Sequence, residues 1–107
     1  MRAFSIERLA KIYTYDQPVS MALSFKGLTK IVTQQLNKKA ETDDCFLFLN
    51  KRRNYLKILF WANNGFCIFA KKLDHGFFKE PAKSQLTIGE LWKIVDHVVL
   101  NYGVKKI

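Results

Sequence analysis

The sequence predicts an α+β fold, an antiparallel β-meander of four to five strands with two amphipathic helices packed on one face. Three apolar runs separated by short polar turns occupy residues 45–72 and predict the meander. Two stretches with apolar residues at helical spacing flank these runs and predict the helices. We expect residues 1–107 to form a single domain, because the chain shows no linker, repeat or low-complexity tract.

A strand and a helix are predicted before the meander. Residues 12–15 are β-branched and aromatic, which favours a strand that stops before Pro18. Ser20 is a candidate N-cap for an amphipathic helix of about four turns. Gly27 lies within this helix and is expected to allow its close approach to the sheet. The apolar positions of the helix are Met21, Phe25, Leu28, Val32 and Leu36.

The meander is predicted from three runs in quick succession. Residues 45–50 and 55–61 flank a turn at residues 51–54, and residues 65–72 follow an Asn-Asn-Gly turn. Such short turns require antiparallel pairing of sequential strands. A short fourth strand is expected around residues 77–79, after Gly76.

The last predicted element is a helix with a capping box. Thr87 supplies the N-cap hydroxyl and Glu90 the carboxylate three residues later. One apolar face then runs from Ile88 to Tyr102, and Gly103 suits the end of the helix.

The strands carry large apolar side chains on both faces, which predicts a partner surface. Alternation places Tyr55, Lys57, Leu59 and Trp61 on one face and the residues Leu56, Ile58 and Phe60 on the other, and it likewise places Phe69 opposite its neighbours. Helices on one face would leave the other uncovered, and an exposed aromatic patch marks an interaction site. The candidate partner-binding residues are Tyr55, Trp61 and Phe69.

The charge is strongly positive and unevenly distributed. Eighteen Lys and Arg residues face nine Asp and Glu, a net charge of +9. Residues 45–80 hold seven basic and two acidic groups, so this third of the chain carries +5 of that excess. Such a field favours polyanions such as nucleic acid, although ordinary surface charge for solubility is the alternative.

The sequence offers little enzyme chemistry. His75 and His97 are isolated in the sequence. Cys45 and Cys67 lie in apolar runs without a CxxC pattern, so we expect them to be buried, reduced thiols. The acidic cluster at residues 41–44 is typical of a solvated connector, and no Gly-rich phosphate loop is present. We therefore expect no enzyme, no catalytic residue, no cofactor and no metal.

The N-terminal sequence and the length of the apolar runs indicate the cellular compartment. No signal peptide is apparent, because residues 2–11 are mixed polar, and no apolar run approaches the length of a membrane span. We expect a cytoplasmic protein without a membrane partner.

The basic loop at residues 50–54 is the best candidate site. Its three cations, Lys51, Arg52 and Arg53, lie between the amide side chains of Asn50 and Asn54. Lysine and arginine neutralise phosphates, and arginine can bind a phosphate or a guanine edge through two N–H groups. A solvated hairpin tip is the competing interpretation.

Several motifs in order resemble one protein family. Tyr13-Thr-Tyr-Asp-Gln-Pro-Val-Ser-Met21 with Phe25-Lys-Gly-Leu28 resembles YLYxxPVDMRKGFDGL, and Phe46-Leu-Phe-Leu-Asn-Lys-Arg-Arg53 resembles LFVFxNRRR. Residues 57–66 are similar to KxLxWDxxGF, and residues 71–81 are similar to KRLExGxFxWP. Residues 86–91 are similar to LTxxEL. Residues 12–98 thereby resemble the Orf2 (TnpB) accessory proteins of the IS66 family of bacterial insertion sequences.

The resemblance implies an accessory role in transposition, beside a separate transposase that carries the catalytic acidic residues. DNA and the transposase are then the expected partners, and oligomeric state is left open. The residues carried over as a possible DNA contact surface are Asn50, Lys51, Arg52, Arg53, Lys57, Lys71 and Lys72. The alternative is a protein–protein module that docks on the transposase through the sheet face, without direct DNA binding.

The chain departs from the family motifs at three places. Ser20-Met21-Ala22-Leu23 lacks the charge cluster of the family pattern, Ala62 replaces an acidic residue, and Glu80 replaces a tryptophan before Pro81. If the charges that are missing contact DNA or the transposase, we expect this copy to be diverged or only partly active.

Overall fold

The computed structural model describes residues 11–100, which form five strands and two helices. Along the chain they are β1 (Ile12–Thr14), α1 (Phe25–Gln34), β2 (Cys45–Leu49), β3 (Tyr55–Ala62), β4 (Gly65–Lys72), β5 (Gln85–Leu86) and α2 (Ile88–Asp96). The strands form one sheet in the order β4-β3-β2-β1-β5. The predicted α+β class is confirmed.

The predicted meander is formed by β2, β3 and β4, which pair antiparallel in sequence order. The β3–β4 hairpin pairs Ala62 with Gly65, so its two turn residues are Asn63 and Asn64. Both have positive φ, 52° and 67°, as a type I′ turn requires. Asparagine tolerates this backbone conformation better than most residues, which explains why the turn is built from two of them.

The sheet is mixed rather than purely antiparallel, because β1 pairs parallel with β2. The 30 residues between them, which include α1, form the crossover that parallel pairing requires. β1 also pairs antiparallel with β5, which closes that edge of the sheet. Nothing in the local pattern of β1 indicated its neighbours.

The strand expected at residues 77–79 is wrong, since only Phe77 makes a bridge, with Val99. Phe78 is instead fully buried in the core. Gly76 precedes the bridge at φ 82°, and a Cβ there would collide with the Val99 carbonyl oxygen. Glycine is therefore required at this position. The strand that follows the meander lies later in the chain than predicted, at β5.

The two helices pack on opposite faces of the sheet, so the prediction that both cover one face is wrong. Leu28 and Val32 of α1 join the core cluster that contains Phe46 and Phe48. The α2 cluster instead contains the alternate β2 residues Cys45, Leu47 and Leu49, together with Leu91, Ile94 and Val95. Since β2 is apolar on both faces, one helix on each face buries it completely.

Helix α1 is shorter than predicted and begins after Ser24, not after Ser20. Ser20 instead accepts a hydrogen bond from Ala22 N in a preceding turn. The Lys57 Nζ donates to the carbonyls of Met21 and Leu23, both at 2.8 Å, and so takes acceptors that a longer helix would use itself.

Gly27 does not provide the close approach to the sheet that the sequence predicts. A Cβ at this position would lie 2.7 Å from a methyl carbon of Leu23, so the glycine makes room for the folded-back Leu23 side chain.

Helix α2 begins as predicted, with a complete capping box. Thr87 Oγ1 accepts from Glu90 N at 3.1 Å, and Glu90 Oε1 accepts from Thr87 N at 2.9 Å. The Lys83 ammonium, 2.8 Å from Glu90 Oε2, and these cap hydrogen bonds lower the pKa of the Glu90 carboxyl.

Helix α2 ends at Asp96, earlier than the predicted Tyr102. Lys71 Nζ donates to the Val95 carbonyl at 2.8 Å, and a cation is favourable at this end of a helix. Val99, which follows the helix, pairs with Phe77 in an isolated bridge. Tyr102 and Gly103 lie outside the described residues, and no helix within residues 11–100 is long and apolar enough to cross a membrane.

We expect Thr87→Ala to lower the free energy of unfolding by about 1 kcal/mol, because an N-cap hydroxyl is lost. Thr87→Ser keeps the hydroxyl and should remain within a few tenths of the parent. Urea unfolding followed by circular dichroism measures both. Equal stability of the alanine variant and the parent would contradict the importance of this cap.

We expect Lys57→Met to lower the free energy of unfolding by about 1.5–3 kcal/mol, the range for hydrogen bonds made by charged groups. Lys72→Met is the matched control, because Lys72 is exposed on the neighbouring strand and its recorded contact is with the Tyr55 ring, 5.8 Å away. It should change stability by less than about 0.5 kcal/mol. Equal effects in urea unfolding would show that the two carbonyl contacts of Lys57 contribute nothing.

Candidate nucleic-acid interface

The β2–β3 loop is held in shape by the side chain of Asn50. Its Oδ1 accepts from the backbone N–H groups of Asn54 and Tyr55 at 3.0 and 3.1 Å, and its Nδ2 donates to Asn54 Oδ1 at 2.7 Å. Arg53 N also donates to the Asn50 carbonyl at 3.0 Å. The two asparagines that flank the cations therefore serve the loop itself, and Asn50 is engaged inside it rather than presented to a ligand.

Arg53 joins this loop to the segment that precedes β5. Its φ of 56° places it in the left-handed region, and its carbonyl accepts from Phe78 N at 2.7 Å. The guanidinium lies over the Phe77 ring, 5.3 Å from the centroid, and Nη1 donates to Glu80 Oε1 at 2.9 Å. Two backbone hydrogen bonds and two side-chain contacts thus fix this arginine in place.

Lys51 and Arg52 are the exposed cations of the loop. Within residues 11–100 their side chains form no hydrogen bond or ion pair with another residue. Both therefore lack an anionic partner within the described residues, whereas Arg53 already contacts a carboxylate.

A groove of about 590 Å³ runs beside the loop. Three chain segments line it: residues 14–18 from the end of β1, residues 49–53 from the end of β2 into the β2–β3 loop, and residues 80–84 before β5. We call it the hairpin groove. The parallel pairing of β1 with β2 creates it, because the carboxyl ends of both strands then meet at the same end of the sheet.

The hairpin groove carries more positive than negative charge. Its cationic lining residues are Lys51, Arg52, Arg53 and Lys83, and its acidic ones are Asp16 and Glu80. Lys83 is paired with Glu90 and Arg53 with Glu80, which leaves Lys51 and Arg52 against the single carboxylate of Asp16 as the unpaired charges of the lining. Tyr15, Pro18 and Pro81 supply less polar wall surface.

The other predicted DNA-contact residues do not join this groove. Lys57 and Lys71 are half-buried and lie on opposite faces of the sheet, where they hold α1 and α2 through backbone carbonyls. Lys72 is exposed at the end of β4 that pairs with Tyr55. From the predicted set, only the loop residues at positions 50–53 line the hairpin groove.

The predicted partner-binding residues are also divided between the faces. Tyr55 and Trp61 share the α1 face with Leu59, whereas Phe69 pairs with Ile58 and lies on the α2 face. Trp61 packs edge-on against Phe66, with 4.8 Å between ring centroids, and is half-buried. Phe69 is 40% exposed, so it is the one of the three that is most available to a partner.

The histidines and cysteines do not form a metal-binding cluster within residues 11–100. Within residues 11–100, no three His, Cys, Asp or Glu side chains are placed to hold a metal ion. Burial, with a smaller contribution from the Asp44 carboxylate, raises the pKa of the Cys45 thiol to about 12, so it stays a neutral thiol. Cys67 is a free, half-buried thiol on β4.

Sequence reasoning missed two walls of the groove, residues 14–18 and 80–84. Residues 14–18 and residues 80–81 belong to motifs of the family pattern, but the motifs do not state that they meet. The available signal was the short β1 followed by a long connection with a helix, which is typical of a parallel crossover. That signal would have placed the end of β1 beside the basic loop.

Comparison with known proteins agrees with the resemblance read from the motifs. A family model described as IS66 Orf2 like protein matches residues 10–99. No curated protein and no solved structure shows a significant match to the chain. The matched region includes every described strand and helix and all three walls of the hairpin groove. The chain therefore belongs to the IS66 Orf2-like family of insertion-sequence accessory proteins.

Proposed function

We propose that this accessory protein assists transposition by binding DNA through the hairpin groove and its basic loop. The observation that carries the proposal is the pair of exposed, unpaired cations Lys51 and Arg52 on a loop closed by the Asn50 side chain. A loop whose shape is already fixed loses little conformational freedom on binding, so its charges are used efficiently. The net charge of +9 adds a long-range attraction to DNA.

The groove favours contact with the phosphate backbone more than base-specific recognition. Among the described residues, none of those that line it belongs to a helix. Phosphate contacts position a protein on DNA without reading its sequence. An accessory factor of this kind would hold or bend DNA for a separate transposase that performs the chemistry.

We expect the double variant Lys51→Gln and Arg52→Gln to weaken binding to duplex DNA that carries the ends of the insertion sequence. Two lost phosphate contacts should reduce the slope of log K against log salt by about 1.8, at about 0.9 per contact. Fluorescence anisotropy at several salt concentrations measures both affinity and slope.

The control for that experiment is Lys26→Gln with Lys30→Gln, which removes two exposed charges from α1 outside the groove. It should lower the slope much less. Equal losses in the two double variants would assign binding to net charge alone, and salt-independent binding would reject the basic loop as the contact surface.

A second candidate function is docking on the transposase through β4. β4 is an edge strand of eight residues, and Phe69 on it is 40% exposed. Edge strands accept a further strand from a partner, and exposed aromatic residues often dominate interface energies. This function requires no DNA contact by the groove.

We expect Phe69→Ala to weaken association with the co-produced transposase at least tenfold if β4 is the interface, because a buried aromatic anchor would be lost. Phe25→Ala is the control, since Phe25 is 46% exposed on α1. Co-purification and surface plasmon resonance give the comparison. Unchanged affinity of the Phe69 variant would exclude this aromatic side chain as an anchor.

A further inference from the structure

Arg53 and Glu80 form an ion pair at the wall of the hairpin groove. Arg53 Nη1 lies 2.9 Å from Glu80 Oε1, and the side chains are 34% and 73% exposed. The guanidinium is held from behind by the Phe77 ring, and the Arg53 carbonyl binds Phe78 N. The cation is thus fixed in place, whereas its anionic partner is largely in solvent.

The Glu80 carboxylate has no other recorded partner among the described residues. It lines the same groove as Lys51 and Arg52, and no hydrogen bond besides that from Arg53 restrains it. Carboxylate and phosphate oxygens both accept charge-assisted hydrogen bonds from a guanidinium. A carboxylate that contacts a fixed arginine, in a groove that also holds two unpaired cations, therefore lies where a phosphate oxygen could bind.

We propose that Glu80 occupies a phosphate subsite built by Arg53, and that a phosphate group of bound nucleic acid displaces it. The identification of the ligand as nucleic acid rests on the proposed function. The exposed ion pair is weak, because solvent screens it and the glutamate loses side-chain freedom to form it. A phosphate that also contacts Lys51 and Arg52 gains several partners at once, so displacement is favourable.

Glu80 then lowers the affinity of the groove for polyanions in two ways. It occupies the Arg53 guanidinium, and its negative charge repels an approaching phosphate. In its absence Arg53 joins Lys51 and Arg52 as a third loop cation that is available to the ligand. Glu80 is thus an affinity-setting residue of the chain.

The test is Glu80→Gln, which removes the charge and keeps an oxygen that can accept from Arg53. We expect DNA to bind about two- to fivefold more tightly, the range that corresponds to an exposed ion pair. The slope of log K against log salt should steepen by about 0.9, as one further phosphate is neutralised. Glu41→Gln is the matched control, because Glu41 is exposed and precedes β2, whereas the basic loop follows β2 at the other end of the strand.

A second probe separates this inference from the proposed function. Inorganic pyrophosphate is titrated into each variant, and the Arg53 Nε–H signal is followed by NMR. Tighter pyrophosphate binding in the Glu80 variant than in the Glu41 variant, with no DNA binding by any variant, would support the subsite and reject the DNA function. Equal behaviour of the two variants toward both ligands would overturn the subsite even if DNA binds.

A double-mutant cycle shows whether Glu80 lowers the affinity through Arg53. In an Arg53→Gln background the Glu80→Gln change should alter affinity by less than half of its effect in the parent, because the competed cation is gone. Circular dichroism verifies that each variant is folded. An undiminished effect without Arg53 would show that Glu80 acts by general repulsion, and would overturn the assignment of a subsite at Arg53.

Discussion

The burial of β2 on both faces is the constraint on which the rest of the structure depends. All five residues of this strand are buried, and they alternate between two separate core clusters. A strand that is apolar on both sides requires a cover on each, which explains why α1 and α2 lie on opposite faces. The crossover through α1 also brings β1 alongside β2 in parallel. Both the layers and the topology therefore depend on one short apolar strand.

The hairpin groove is a consequence of the same arrangement. Parallel pairing brings the residues after β1 to the end of the sheet where the basic loop leaves β2. The pairing of β5 with β1 brings in residues 80–84 from the other side. Three segments far apart in sequence thus meet around one charged loop. This convergence, rather than the charge count alone, distinguishes the loop from an ordinary hairpin tip.

The cations of this chain serve different purposes, although they look alike in the sequence. Lys57 and Lys71 donate to backbone carbonyls near the ends of α1 and α2, and so hold each helix against its face of the sheet. Arg53 fixes the loop against residues 77–80, whereas Lys51 and Arg52 are exposed and unpaired. A neighbouring carbonyl or carboxylate decides which purpose a side chain serves. Those neighbours come from distant parts of the chain, and composition does not reveal them.

The sequence by itself determined the local elements: the three strands of the meander, the capping box of α2 and the Asn-rich turn. Each depends on contacts within a few residues, so short-range patterns are sufficient to predict them. It also determined the family and drew attention to the loop at residues 50–54. Only the tertiary structure decided the side of the sheet that each helix covers, the place of β1 and β5, and the partition of Tyr55, Trp61 and Phe69 between two faces. The physical reason is that alternation shows which residues share a face, whereas the element that covers that face is selected by packing between distant segments.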